Sequence, residues 1–291
     1  MNIAFSPCPN DTFVFNAWVH GLIPDAPELE VTYADIDKTN GWAIHNQGPE
    51  VMKISFAALP WLLERYALLP CGGALGRGCG PLVLMQPDQA SKDTEAAGAI
   101  NPAVLSGKRI AVPSERSTAY LLFRLWAAQH IPGGVGEIVV MSFDEIMPAV
   151  RDGKIDAGLV IHEARFTYPS YGLALVADMG SWWEADTGLP IPLGAIIARR
   201  DMDIASLARW TRASVQYAWA HPEASQAYVL EHAQEMDPDV VASHIELYVN
   251  TFTGNLGKDG YAAIEALLGR AAKEGLVPSF DMKRLYDASE L

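Results

Sequence analysis

The sequence predicts an α/β protein built as two lobes. Short apolar runs of strand length alternate with helical apolar stripes, which is the signature of βα units. The alternation occurs twice, on either side of a polar stretch at residues 86–107, and a helical tail follows one last apolar run at residues 195–198. At 291 residues the chain is also long for a single hydrophobic core. The expected boundaries are residues 1–90 and 195–291 for the first lobe and residues 108–188 for the second.

In the first lobe, residues 2–5 read as a strand. Ser6-Pro7-Cys8-Pro9-Asn10-Asp11-Thr12-Phe13 follows as a rigid turn, because proline fixes φ and fits no central strand. Asn10 or Asp11 then caps a helix that carries Val14, Ala17 and Trp18 on one face. Residues 28–36 alternate as a second strand, and residues 37–47 make a weak helix interrupted by Gly41. Residues 51–55 form a third strand and residues 56–66 a helix with Pro60 near its start. Open α/β sheets bind ligands beyond the carboxyl ends of their strands, where Asn10 and Ser55 fall. Gly76-Arg77-Gly78-Cys79-Gly80-Pro81 is no dinucleotide loop, since it leads into a strand at residues 82–85. A close backbone approach explains its glycines better.

The second series opens with a strand at residues 108–112. The following loop enters a helix whose Ala119, Leu122, Phe123 and Trp126 share one face. Ser117 or Thr118 caps it, and the helix start is either a simple cap or an anion cradle of amide donors and positive dipole. A strand at residues 138–141 and a helix at residues 143–152 come next. The apolar run 157–161 then stops on His162, a strand-end histidine suited to proton transfer because imidazole titrates near neutrality. Trp182 and Trp183 either cover an aromatic ligand or pack in the core. The helices after residue 203 are most simply the outer packing of the first lobe.

Composition excludes several classes. A formal net charge of −14 argues against nucleic acid or a membrane surface as partner. No apolar run reaches the roughly 18 residues of a membrane span. The amino terminus lacks a signal-type segment, so the expected location is the cytoplasm. Cys8, Cys71 and Cys79 are expected as free thiols. A zinc-hydrolase pattern fails because Phe166 stands where the second histidine would be needed, so no metal is expected. The other six histidines show no ligand spacing and read as surface or packing residues.

Two βα series with a return strand match the layout of the type II periplasmic-binding-protein fold, with a ligand cleft between the lobes. Five motifs together resemble the 1,4-dihydroxy-6-naphthoate synthase family of the futalosine route to menaquinone. They are the proline turn at residues 6–13, the glycine-rich segment 76–81, Ser117-Thr118-Ala119-Tyr120-Leu121-Leu122-Phe123, Ile161-His162-Glu163-Ala164-Arg165-Phe166-Thr167-Tyr168, and Leu189-Pro190-Ile191-Pro192-Leu193-Gly194. The resemblance implies a cofactor-independent lyase. It would convert cyclic dehypoxanthine futalosine, a small carboxylate, into 1,4-dihydroxy-6-naphthoate and release dihydroxyacetone. It implies His162 as proton acceptor and Lys53, Ile54, Ser55, Thr118 and Ala119 as substrate-binding residues, to which the turn adds Asn10. A noncatalytic solute-binding protein and a chorismate dehydratase of the same pathway are the rival readings.

Overall fold

A computed structural model of the chain describes residues 1–90, 100–234 and 237–291. The strands are β1 (Asn2–Phe5), β2 (Glu30–Tyr33), β3 (Val51–Ser55), β4 (Tyr66–Leu68), β5 (Ala74–Gly76), β6 (Leu82–Met85), β7 (Ile110–Val112), β8 (Ile138–Val140), β9 (Ala157–Val160), β10 (Ala174–Asp178) and β11 (Ile191–Arg199). The helices are α1 (Pro9–Val19), α2 (Ile36–Ile44), α3 (Pro87–Ala90), α4 (Thr118–His130), α5 (Phe143–Arg151), α6 (Ala164–Thr167), α7 (Met179–Thr187), α8 (Ile204–Ala220), α9 (Gln226–His232), α10 (Pro238–Tyr248), α11 (Thr251–Gly254) and α12 (Gly257–Lys273). The chain divides into two compact units, Met1–Gly76 with Leu189–Leu291, and Arg77–Gly188.

The first unit holds a sheet of order β2-β1-β3-β11-β4, with β5 also paired to β11. Strands β1, β2 and β3 run parallel, and β11 runs antiparallel to β3, β4 and β5. Helix α1 is buried almost throughout, its polar residues Asn10, Asp11, Thr12 and Asn16 included, so it turns no polar face to solvent. Its Phe13, Val14, Phe15 and Trp18 join Ile3, Phe5, Leu207 and Val215 in one core. Helix α1 starts at Pro9 with Cys8 as N-cap, two or three residues before the cap expected at Asn10 or Asp11. Proline's preset φ suits the first helical position, which leaves the Asn10 and Asp11 side chains for other partners. The expected helix over residues 56–66 is a 3₁₀ segment, Phe56–Trp61, followed by β4. Pro60 lies inside that segment and lacks the N–H that a longer helix would need.

The second unit holds a sheet of order β10-β6-β9-β7-β8. Strands β7, β8 and β9 are parallel, whereas β6 is antiparallel to both β9 and β10. Strand β6 was expected in the first lobe, within residues 1–90, yet it pairs in this sheet and the second unit begins at Arg77. A short, wholly apolar strand reads alike in either sheet, and only its partners decide. The crossing expected at residues 86–107 is displaced for the same reason: the chain passes to the second unit at residues 76–77. The described ends of that stretch, α3 and a 3₁₀ segment, Pro102–Leu105, both fall within the second unit; residues 91–99 lie outside the described residues. Gly158 in β9 is required by packing, since a Cβ there would lie 2.4 Å from Ile146 Cγ2 of α5. Trp183 is fully buried against Trp182, with ring centroids 6.2 Å apart, so the core-packing reading holds for it. Among the described residues no helix is long and apolar enough to cross a membrane.

Candidate active site

The first unit presents a chain of buried polar side chains around the start of α1. Lys53, in the middle of β3, pairs with Asp11 of the first helical turn, Nζ to Oδ1 2.5 Å, with both side chains almost fully buried. Asn10 Nδ2 donates to Asp11 Oδ1 at 2.9 Å. That bond turns Asn10 Oδ1 toward His244 of α10, whose Nε2 lies 3.0 Å away. An amide oxygen only accepts, so His244 Nε2 carries the proton. Gly194 of β11 makes the room for Lys53, because a Cβ there would fall 2.7 Å from Lys53 Cε. The predicted substrate-binding residues Lys53 and Asn10 are thus held inside a network that the fold itself supplies.

Ser55 closes β3 and is bracketed by Asn40 of α2. Asn40 Oδ1 accepts the Ser55 N–H at 2.8 Å, and its Nδ2 donates to Ser55 Oγ at 3.0 Å. Alternation along β3 puts Lys53 and Ser55 on one face and Ile54 on the other, where its side chain is fully buried. The backbone of Ile54 pairs with Ala195 in the sheet.

In the second unit, Ser117 is the N-cap of α4, its Oγ accepting from the Tyr120 N–H at 3.1 Å. Thr118 and Ala119 therefore occupy the first two helical positions, both buried, at the end where amide donors and the positive dipole converge. His162 lies two residues beyond β9 and is half-buried. Its backbone is left-handed, with φ +56°, a conformation that costs a non-glycine residue on the order of 1–3 kcal/mol. Surrounding structure must hold such a residue in place, and it does so at sites where orientation matters. The Phe143 ring, at the start of α5, packs 5.5 Å from the imidazole, centroid to centroid.

Cys8, Cys71 and Cys79 are buried and form no disulfide among the described residues. Burial pushes Cys71 and Cys79 up to about 12, which removes them as thiolate nucleophiles near neutral pH.

The family described as "Menaquinone biosynthesis" matches residues 1–273. The chain belongs to that family. A 1,4-dihydroxy-6-naphthoate synthase of Streptomyces coelicolor is 64% identical over 282 residues, covering 96% of this chain and 95% of the relative. A second protein of that name, from Thermus thermophilus, is 44% identical over 280 residues, with 95% of each chain covered. Among solved structures, a protein of Archaeoglobus fulgidus superimposes with a TM-score of 0.83 at 33% identity, covering 95% of this chain and 98% of its own. The periplasmic aliphatic sulphonate binding protein of Escherichia coli reaches a TM-score of 0.66 at 12% identity, covering 98% and 90%, a likeness of fold alone. The two-lobed α/β fold of periplasmic binding proteins, expected from the sequence, is the fold of this menaquinone-biosynthesis chain.

Two participants escaped the sequence reading. Asn40 sits in a helix that looked weak, and nothing local connects it to Ser55. His244, expected as a surface or packing residue, is a fully buried member of a polar chain, bonded to a residue 234 positions away. Gly194 did carry a signal, as the glycine closing a proline-rich motif, but the lysine it accommodates could not be read from spacing.

Proposed function

We propose that this chain forms 1,4-dihydroxy-6-naphthoate in menaquinone biosynthesis, as its relatives are named for doing. Near full-length similarity to those relatives supports the activity. The proposed reaction is a cofactor-independent carbon–carbon cleavage of cyclic dehypoxanthine futalosine that releases dihydroxyacetone. His162 is its general base. The observation that carries this assignment is the left-handed backbone of His162 just past the end of β9. Neutral imidazole takes a proton from carbon or hydroxyl beside the spiro ring, C–C cleavage follows, and the aromatic product supplies the thermodynamic pull. General base catalysis of this kind contributes roughly 10²–10⁴-fold.

Thr118 and Ala119 at the start of α4 are proposed to bind the substrate's carboxylate or sugar hydroxyls, as helix starts favour anions. Ser55 is proposed to bind substrate through its hydroxyl, with Asn40 fixing the rotamer. For Ile54 only the backbone is offered. Lys53 and Asn10 belong to the same proposed set, through the network that holds them. The cytoplasmic location and the absence of nucleic-acid and membrane partners remain part of this reading.

The test is direct. Purified protein incubated with cyclic dehypoxanthine futalosine is assayed for naphthoate by chromatography and mass spectrometry. Substrate returned intact at every enzyme concentration would support a solute-binding role and refute the enzyme.

A further inference from the structure

We infer that Arg165 is a positioning residue for His162, gripping Asp178 and the Gly80 carbonyl so that the turn behind the imidazole cannot relax. This rests on His162 as the base. All the groups involved lie in the second unit.

The turn opens on two long backbone bonds. The Ala164 N–H reaches Ile161 O at 3.3 Å and the Arg165 N–H reaches His162 O at 3.3 Å, both long against the usual ~2.9–3.0 Å. Past them the Phe166 N–H reaches Glu163 O at 2.8 Å, and the histidine that the turn carries stands at φ +56°. A directional restraint is added by the side chain three residues on. Arg165 Nη2 donates to Asp178 Oδ2 at 2.6 Å and to Gly80 O at 3.0 Å, and Nε donates to Gly80 O at 3.3 Å. A planar fork with three bonds defines direction as well as distance.

Both anchors are themselves immobilised. Asp178 Oδ1 caps α7, accepting from the Gly180 N–H at 2.8 Å and the Ser181 N–H at 3.2 Å. Gly80 lies against Gly180 so closely that a Cβ on it would sit 2.0 Å from Gly180 N. The adjacent Pro81 O accepts the Met179 N–H at 2.9 Å. The glycine-rich segment therefore serves as the fixed wall on which the histidine turn is hung. Two motifs far apart in the sequence become one device.

Positioning and mere stabilisation separate in a double-mutant cycle. Arg165→Met should lower kcat by about 10- to 100-fold with KM within about threefold, the scale of a misplaced catalytic group. In a His162→Asn background the same change should lower the residual kcat no further, because the group it positions is gone. Arg165→Lys, which keeps the charge and loses the fork, guards against a variant that fails to fold, and should fall between wild type and Arg165→Met. An independent readout is ¹⁵N-histidine NMR, with the His162 signal assigned by its loss in His162→Asn. That signal should move in Arg165→Lys while the other six histidine signals stay. An unmoved His162 signal overturns the positioning role, as does an equal kcat loss in both backgrounds or wild-type kcat in Arg165→Met. Wild-type kcat in His162→Asn, with the ring signal still displaced in Arg165→Lys, would instead sink the base assignment and leave the anchoring in place.

Discussion

The buried pair of Asp11 and Lys53 offers the sharpest quantitative expectation. Its two side chains are only 3% and 4% exposed, with the amine 2.5 Å from the carboxylate. Lys53→Met leaves the Asp11 carboxylate in a water-poor site, with the Asn10 amide as its one remaining side-chain donor among the bonds described. Removing one partner of a buried pair costs about 3–5 kcal/mol, most of it the desolvation of the charge left behind. At about 2–4 °C per kcal/mol for domains of this size, the calorimetric Tm should fall by roughly 6–20 °C. The double variant Asp11→Asn with Lys53→Met removes both charges at similar volume, and should recover to within about 2 kcal/mol of wild type. Scanning calorimetry on the three proteins decides the matter. A single-variant loss below about 1 kcal/mol, or a double variant no better than the single, would refute a dry, mutually dependent pair. If Lys53 also meets substrate, the folded double variant will show a raised KM that its restored Tm cannot explain.

His162→Asn should keep the fold and substrate affinity and lose about 10²–10⁴-fold in kcat, measured by steady-state turnover; near-normal kcat removes it from the mechanism. Thr118→Val should weaken binding by about one to two decades, the value of one hydrogen bond to a charged group, while leaving α4 intact because Ser117 is the cap. Ser117→Ala should do the opposite, costing about 1 kcal/mol of stability; calorimetry and a binding titration on the pair separate the roles, and reversed results would reverse the assignment. Cys71 and Cys79, raised to about 12 by burial, hold their protons in the folded state after the unfolded chain releases them at about 8.5–9. Their contribution is complete below pH ~9 and is lost as pH rises toward 12, at about 1.4 kcal/mol per thiol per pH unit. Urea midpoints between pH 8 and 10 should fall more steeply for wild type than for Cys71→Ala with Cys79→Ala, and equal slopes would contradict the burial argument.

What the sequence determined by itself were the features whose physics is local. Apolar runs and stripes marked most strands and helices, because side-chain direction repeats every two residues in one and every 3.6 in the other. The Ser117-Thr118 pair marked the start of α4 through its own capping chemistry, whereas Pro9, read as part of a turn, proved to open α1; His162 was legible as a polar stop at the end of β9. The recurrence of five motifs identified the family. Tertiary structure decided what depends on residues remote in sequence. It put β6 into the second sheet, since a four-residue apolar strand carries no information about its partner. It matched Lys53 to Asp11, Asn40 to Ser55 and His244 to Asn10, and hung the His162 turn on Gly80 and Asp178. A hydrogen bond specifies only a donor and an acceptor about 3 Å apart, and many pairs in a chain could satisfy it. Only closure of the whole core selects the few that are made.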